Sequence, residues 1–205
     1  AHRMFDRISQ MEPLRPSVSP ELADHARQIV GRSASLAGSL HPVTGRTVTE
    51  FLRITNSYYS NLIEGHGTHP VDIERAMRKD YSTDPAKRNL QMESLAHIEC
   101  QRRIEERLEK EPDVNISGTG FIRWLHEIFY EQLPPELRRV RNDETGEEIE
   151  VVPGEIRQRA VKVGRHVGPG EGALPQFLER FADCYRLESH HGIEPLFIAP
   201  AAHDR

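Results

Sequence analysis

Proline placement limits what this chain can fold into more than any other feature. Asp84-Pro85 offers an N-cap followed by a proline suited to a first helical turn, and Pro112 forces an end, so the interval reads as one long helix. Ser19-Pro20 opens a shorter helix running to about Arg32, and Pro70, after Thr68, opens another. Pro134-Pro135 closes a helix preceded by Ser117, and Pro195 starts a last one. Residues 1 to 20 carry Pro13, Pro16 and Pro20 with little periodicity and read as an extended arm. The glycine-containing stretch up to Gly45 reads as a connector.

Between these markers the hydrophobic spacing is helical. Thr47 and Glu50 have capping-box spacing, and Val48, Phe51, Leu52, Thr55, Tyr59 and Leu62 follow at intervals of three, four and seven. That stripe predicts a helix over 47–63 with the stripe buried against the long helix or against the helix over 121–133. Apolar residues of the long helix are spread around it, which predicts burial of its first half on more than one face. Phe121, Ile122, Leu125, Phe129 and Leu133 share one face of the fifth helix, and Phe177, Leu178, Phe181 and Tyr185 mark a sixth. The β signal is short: Glu148-Ile149-Glu150-Val151 alternates, Ala160-Val161-Lys162-Val163 alternates less cleanly, and glycines supply turns. The expectation is a mostly α chain with one β-hairpin, pairing Ile149 to Val152 with Ala160 to Val163. Its organisation reads as 1–46 (arm and short helix), 47–116 (helical region) and 117–205 (helices and hairpin).

The bulk properties exclude several classes. The 205 residues carry a net charge of -5 with 29% charged side chains of both signs, so no basic stripe argues for nucleic acid. Apolar runs fall far short of a membrane span. Cys100 and Cys184 stand far apart with no CxxC spacing, and a soluble cytoplasmic protein in a reducing compartment is the simplest reading. His66 and His69 straddle Gly67 without a partner at zinc-site spacing, so no metal ligands are assigned. No GxxxxGK[ST] loop occurs.

The segment Ser60-Asn61-Leu62-Ile63-Glu64-Gly65 carries the sharpest chemistry. Ser60 and Glu64, four apart, share a helical face, and Gly65 supplies the stop. A carboxylate at a helix C-terminus meets the negative end of the dipole, a penalty of ~0.3–1 kcal/mol that invites a cation. The alternative is a solvated helix-end carboxylate. The segment resembles the inhibitory-helix motif of Fic-domain proteins (Ser or Thr, three residues, Glu, then Gly or Asn). There the Glu pairs with an arginine of the nucleotide site and keeps ATP from binding productively.

Three further stretches resemble the same family in the family's order. Leu125-His126 is similar to the helix that begins the Fic core. Gly154-Glu155-Ile156-Arg157, then Val161-Lys162-Val163-Gly164-Arg165-His166 and Pro169, resembles the family's flap. Pro195 to His203 is similar to the helix leading into the catalytic signature HPFxxGNGR. The resemblance covers about residues 47 to 205 and implies a Fic-like helical bundle lacking its C-terminal catalytic helices. Ser60, Glu64 and Gly65 are then inhibitory, Val161, Lys162, Val163 and Gly164 border the nucleotide, and Arg157 and His166 dock the target. A hairpin edge can hold an extended peptide by strand addition.

HPFxxGNGR does not occur in these residues, so no catalytic residue is assigned, and the natural chain is expected to continue past Arg205 into it. The resemblance implies transfer of AMP from ATP to a Ser, Thr or Tyr hydroxyl of a target protein, with Mg²⁺, by the full-length protein. The chain as given is expected to be inactive and to bind neither cofactor tightly. Its partners are the hydroxyl-bearing target and a second copy in a homodimer, with no nucleic acid and no membrane. The rival reading is a non-catalytic helical protein-interaction module, which requires a large exposed apolar face on the 47–64 helix.

Overall fold

The computed structural model describes residues 7, 9, 12–141, 146–163 and 166–203. Within them the helices are α1 (Pro20–Ser39), α2 (Pro42–Ile63), α3 (Pro70–Met77), α4 (Pro85–Lys110), α5 (Thr119–Glu131), α6 (Leu174–Cys184) and α7 (Pro195–His203). The strands are β1 (Arg139–Arg141), β2 (Glu148–Glu150), β3 (Lys162–Val163) and β4 (His166–Val167). The chain is mostly helical, as its proline punctuation predicts. Prolines occupy the first position of α1 to α4 and of α7, where the missing N–H has no intrahelical partner to lose. Asp84 caps α4 by accepting a 2.9 Å bond from the Ala86 N–H, and α4 stops before Pro112.

Two boundaries differ from the sequence expectation. The capping box at Thr47 does not form: α2 begins at Pro42, capped by His41 Nδ1 on the Val43 N–H at 3.3 Å. Thr47 lies inside the helix and donates back to the Val43 carbonyl. Gly45 is therefore helical, and α1 runs to Ser39 instead of ending near Arg32.

The chain divides into two compact units. The first comprises Ala1–Ser39, Val114–Arg123 and Ile156–Arg205. Its core is Cys184, Tyr185, Ile198 and Ala201, with Phe181 and Ala202 packed on it. The Tyr185 hydroxyl reaches the Leu14 carbonyl at 3.2 Å, which ties the proline-rich arm to α6.

The second unit comprises Leu40–Asp113 and Trp124–Glu155. Here α2 and α3 pack on α4 around Ile54, Ile73 and Ile98, with Tyr58 against them. Gln91 is fully buried: its side chain accepts from the Ser82 N–H and donates to the Asp72 carbonyl, both at 2.8 Å. Ser94 and Ile98 lie on one side of α4, and Ala96 and Cys100 are buried on another, which matches the spread of its apolar residues.

The buried face of α2 is the reverse of the expected one. Arg53, Ile54 and Ser57 are buried, while Phe51, Leu52, Tyr59, Leu62 and Ile63 are 60%, 49%, 56%, 46% and 81% exposed. Polar side chains hold the α2–α4 contact. Arg53 grips Glu105 with two guanidinium nitrogens and reaches Glu50 with the third. Asn56 donates to Gln101, which donates back to the Arg53 carbonyl. The Ser57 hydroxyl donates to the Ser94 carbonyl, and Asn61 donates to the Ser94 hydroxyl at 2.8 Å. The pairs run in opposite directions along the two helices, so α2 and α4 are antiparallel. On this face the hydrogen bonds flank the apolar contact of Ile54 and Tyr58 with Ile98.

The single expected hairpin is also corrected. β2 pairs antiparallel with β1, Ile149 opposite Val140, and β3 pairs antiparallel with β4, Lys162 opposite Val167. Ile149 and Val163 thus belong to separate two-stranded ladders. Gly154 has φ +75° in the turn after β2, a conformation that suits glycine, and the chain does not return along β2.

Candidate functional site

The last turn of α2 is closed by a glycine motif. Glu64 is the C-cap, and Gly65 follows at φ +80°. The Gly65 N–H returns to the Leu62 carbonyl at 3.1 Å, and the His66 N–H returns to Asn61 at 2.7 Å. These are the two bonds of a Schellman end, which satisfy carbonyls that the helix leaves open. Asn61 is pinned twice, through its carbonyl to His66 and through its side chain to Ser94. The backbone presenting Ser60 and Glu64 is therefore set by α4.

Both side chains are exposed. Among the described residues, neither the Glu64 carboxylate nor the Ser60 hydroxyl has a hydrogen-bond or ion-pair partner. The helix places a carboxylate against its own negative end and supplies no cation there. In the loop beyond, His66 Nδ1 stands 3.9 Å from the Glu93 carboxylate. Burial raises the Glu93 carboxyl above its ordinary range, and His66 acts in the opposite direction. Among the described residues the buried Thr68 hydroxyl has no partner.

The flap residues lie in the first unit. Lys162, Val163 and His166 lend their backbone to the β3–β4 ladder, while Gly164 falls outside the described residues. The Gly168 N–H donates to the Val161 carbonyl at 2.8 Å and extends the ladder by one rung. Arg157 spans the base, donating to the Arg159 and Pro169 carbonyls. A Cβ on Gly168 would come within 3.0 Å of the Arg157 guanidinium, so glycine leaves room for that guanidinium. Burial lowers the pKa of Arg157, opposed by the charge of Glu171.

One junction brings together two motifs read separately in the sequence. His126 on α5 accepts the Gly154 N–H at Nδ1, 2.9 Å away, which leaves its proton on Nε2. Its ring packs on Tyr130 with centroids 4.5 Å apart, and burial lowers its pKa. The helix carrying Leu125-His126 and the turn that opens Gly154-Glu155-Ile156-Arg157 are thus tied through a neutral imidazole. Spacing along the chain contains no sign of this bond, because 28 residues separate the partners.

Sequence reasoning also missed an opening of about 410 Å³ in the second unit, lined by Met77, Lys79, Tyr81, Met92, Leu95 and Gln132 among others. Lys79 holds φ +64° there, the position glycine takes at the end of α2. Among the described residues no group of three or more His, Cys, Asp and Glu could hold a metal ion, and no helix is long and apolar enough to cross a membrane.

The chain matches no profile of a known protein family, no curated protein and no solved structure.

Proposed function

We propose that this chain is the regulatory and target-docking part of a protein AMP-transferase of the Fic kind, with α2 as its inhibitory helix. The observation that carries this reading is the end of α2. A Schellman-closed terminus presents Ser60 and Glu64 four residues apart, exposed, with no cation on the carboxylate among the described residues. In the proposed role an arginine from HPFxxGNGR pairs with Glu64 and is withheld from the γ-phosphate, and Ser60 steadies the pair. The His126–Gly154 bond supports the reading by joining two of its motifs.

The bound nucleotide supplies the phosphoryl chemistry. The groups that would hold ATP and Mg²⁺ belong to the absent signature, so no catalytic step falls to a residue of this chain. Its own residues restrain, through Glu64, and dock an extended target, through the β3–β4 edge. The target is a protein with a Ser, Thr or Tyr hydroxyl.

The test joins the chain to a segment bearing HPFxxGNGR and incubates the product with labelled ATP and Mg²⁺. Glu64→Gly raises modification of the protein or its target strongly, and Ser60→Ala raises it less. Unchanged nucleotide affinity and unchanged labelling in Glu64→Gly would make Glu64 a solvated helix end and remove the inhibitory role.

A second reading is favoured by one observation. The exposed apolar side of α2 is the surface a helical interaction module needs. Under that reading Glu64→Gly is silent, and substitutions at Leu52 or Leu62 abolish partner binding.

A further inference from the structure

The outward side of α2 has a regular spacing. Val48, Leu52, Thr55, Tyr59 and Leu62 step by four, three, four and three, with Phe51 and Ile63 flanking them. This 3.5-residue repeat is the pattern that seams one helix to another. The side turned to α4 already has its partners, both the Ile54–Ile98 core and the polar contacts.

We propose that two copies of this chain pair through α2, antiparallel about a two-fold axis at Thr55. Charge argues for a partner of this kind. Between Arg46 and Glu64 the charged residues are Glu50 and Arg53, and both are engaged on the α4 side, with each other and with Arg102 and Glu105. The outward stripe holds no charge, so the surface that covers it must be uncharged and apolar.

About Thr55, the ends of the stripe match each other and the flanking Phe51 matches Tyr59. Positions 48 and 62 are equidistant from 55, as are 51 and 59. Antiparallel pairing therefore sets Val48 against Leu62 and Phe51 against Tyr59, with the small Thr55 on the axis and the two helix dipoles opposed. The exposed parts of these side chains come to roughly 500 Å² per copy, or about 1,000 Å² for the pair, the lower bound for a specific interface. The inference is independent of the proposed enzymatic role, and its test reads mass instead of AMP transfer.

Sedimentation equilibrium of the chain across the micromolar range gives a reversible dimer. Leu52→Glu and Leu62→Glu each weaken it by about tenfold or more, at ~1.4 kcal/mol per factor of ten, and leave the helical circular dichroism unchanged. Both positions are exposed in the single chain, so these variants fold. Orientation is read by oxidation. Thr55→Cys forms an intermolecular disulfide, whereas Leu62→Cys does not, because the two Leu62 positions stand ~20 Å apart along an antiparallel seam at ~1.5 Å per residue. The native Cys100 and Cys184 are buried and do not interfere. A monomer throughout, a dimer indifferent to both glutamates, or crosslinking of Leu62→Cys as readily as Thr55→Cys overturns the proposal.

Discussion

Arg53 should matter more to the stability of this chain than Phe51, although Phe51 is the residue a hydrophobic stripe would nominate. Arg53→Ala removes charge-assisted hydrogen bonds to Glu105 and Glu50. Such bonds contribute ~1.5–3 kcal/mol each when desolvated. Both glutamates are 47% exposed, so water recovers about half of that for the stranded carboxylates. Losing the buried aliphatic stem adds ~1 kcal/mol. The total is about 2–3 kcal/mol. Phe51→Ala, at a side chain more than half in water, costs about 1 kcal/mol or less, against ~3–5 for a buried phenylalanine.

The assay is urea unfolding followed by circular dichroism, at dilutions where self-association is negligible. A double-mutant cycle with Glu105→Ala isolates the pair and should give a coupling of about 1 kcal/mol. If Phe51→Ala proves more destabilising than Arg53→Ala, or the coupling is absent, α2 does not meet α4 through its polar side and the face assignment is wrong.

The pH dependence has a defined sign. Burial depresses the pKa of His126 and of His97 from 6.5, so the unfolded chain binds more protons, and stability present above pH 6.5 is lost as pH falls through the folded values. His126→Phe should flatten part of that slope in urea midpoints taken against pH, and an unaltered slope would contradict it. Cys100 is buried with its thiol pushed up to about 11 by desolvation, so it should react with a thiol reagent only on unfolding; stoichiometric labelling of the native chain refutes that. Gly168→Ala should displace Arg157 from the Pro169 carbonyl and speed amide exchange at position 168, and unchanged exchange would show that the base does not depend on the clamp. The chain by itself should label nothing above background with ATP and Mg²⁺, and robust labelling would contradict the roles proposed.

Helix starts were legible where proline and a short polar cap coincide, as at Ser19-Pro20 and Asp84-Pro85. The same logic applied to His41-Pro42 would have placed the start of α2 correctly; Thr47 and Glu50 have the spacing of a cap but follow a start already made. The face of α2 was not legible. Apolar periodicity marks a side that can be buried, whereas Arg53 and Ser57 are buried, and Asn61 half-buried, with Glu105 and Ser94 opposite them. Strand partners were equally hidden, since alternation in Glu148 to Val151 fixes a conformation and not a neighbour. Ser60 to Gly65 could be read because a Schellman end is local and glycine announces it, but the His126–Gly154 bond belongs to tertiary structure.

The polar seam between α2 and α4 also fixes axial position. Leucine against leucine tolerates a slide of one turn, about 5.4 Å, since any methyl group accepts any other. Arg53 on Glu105, Asn56 on Gln101 and Asn61 on Ser94 do not: a shift of that size would strand several donors and acceptors at once. The two helices behave as a rod keyed into a slot, and the height of Glu64 is set by the teeth of the key. Whatever meets that carboxylate must come to it, because α2 cannot advance.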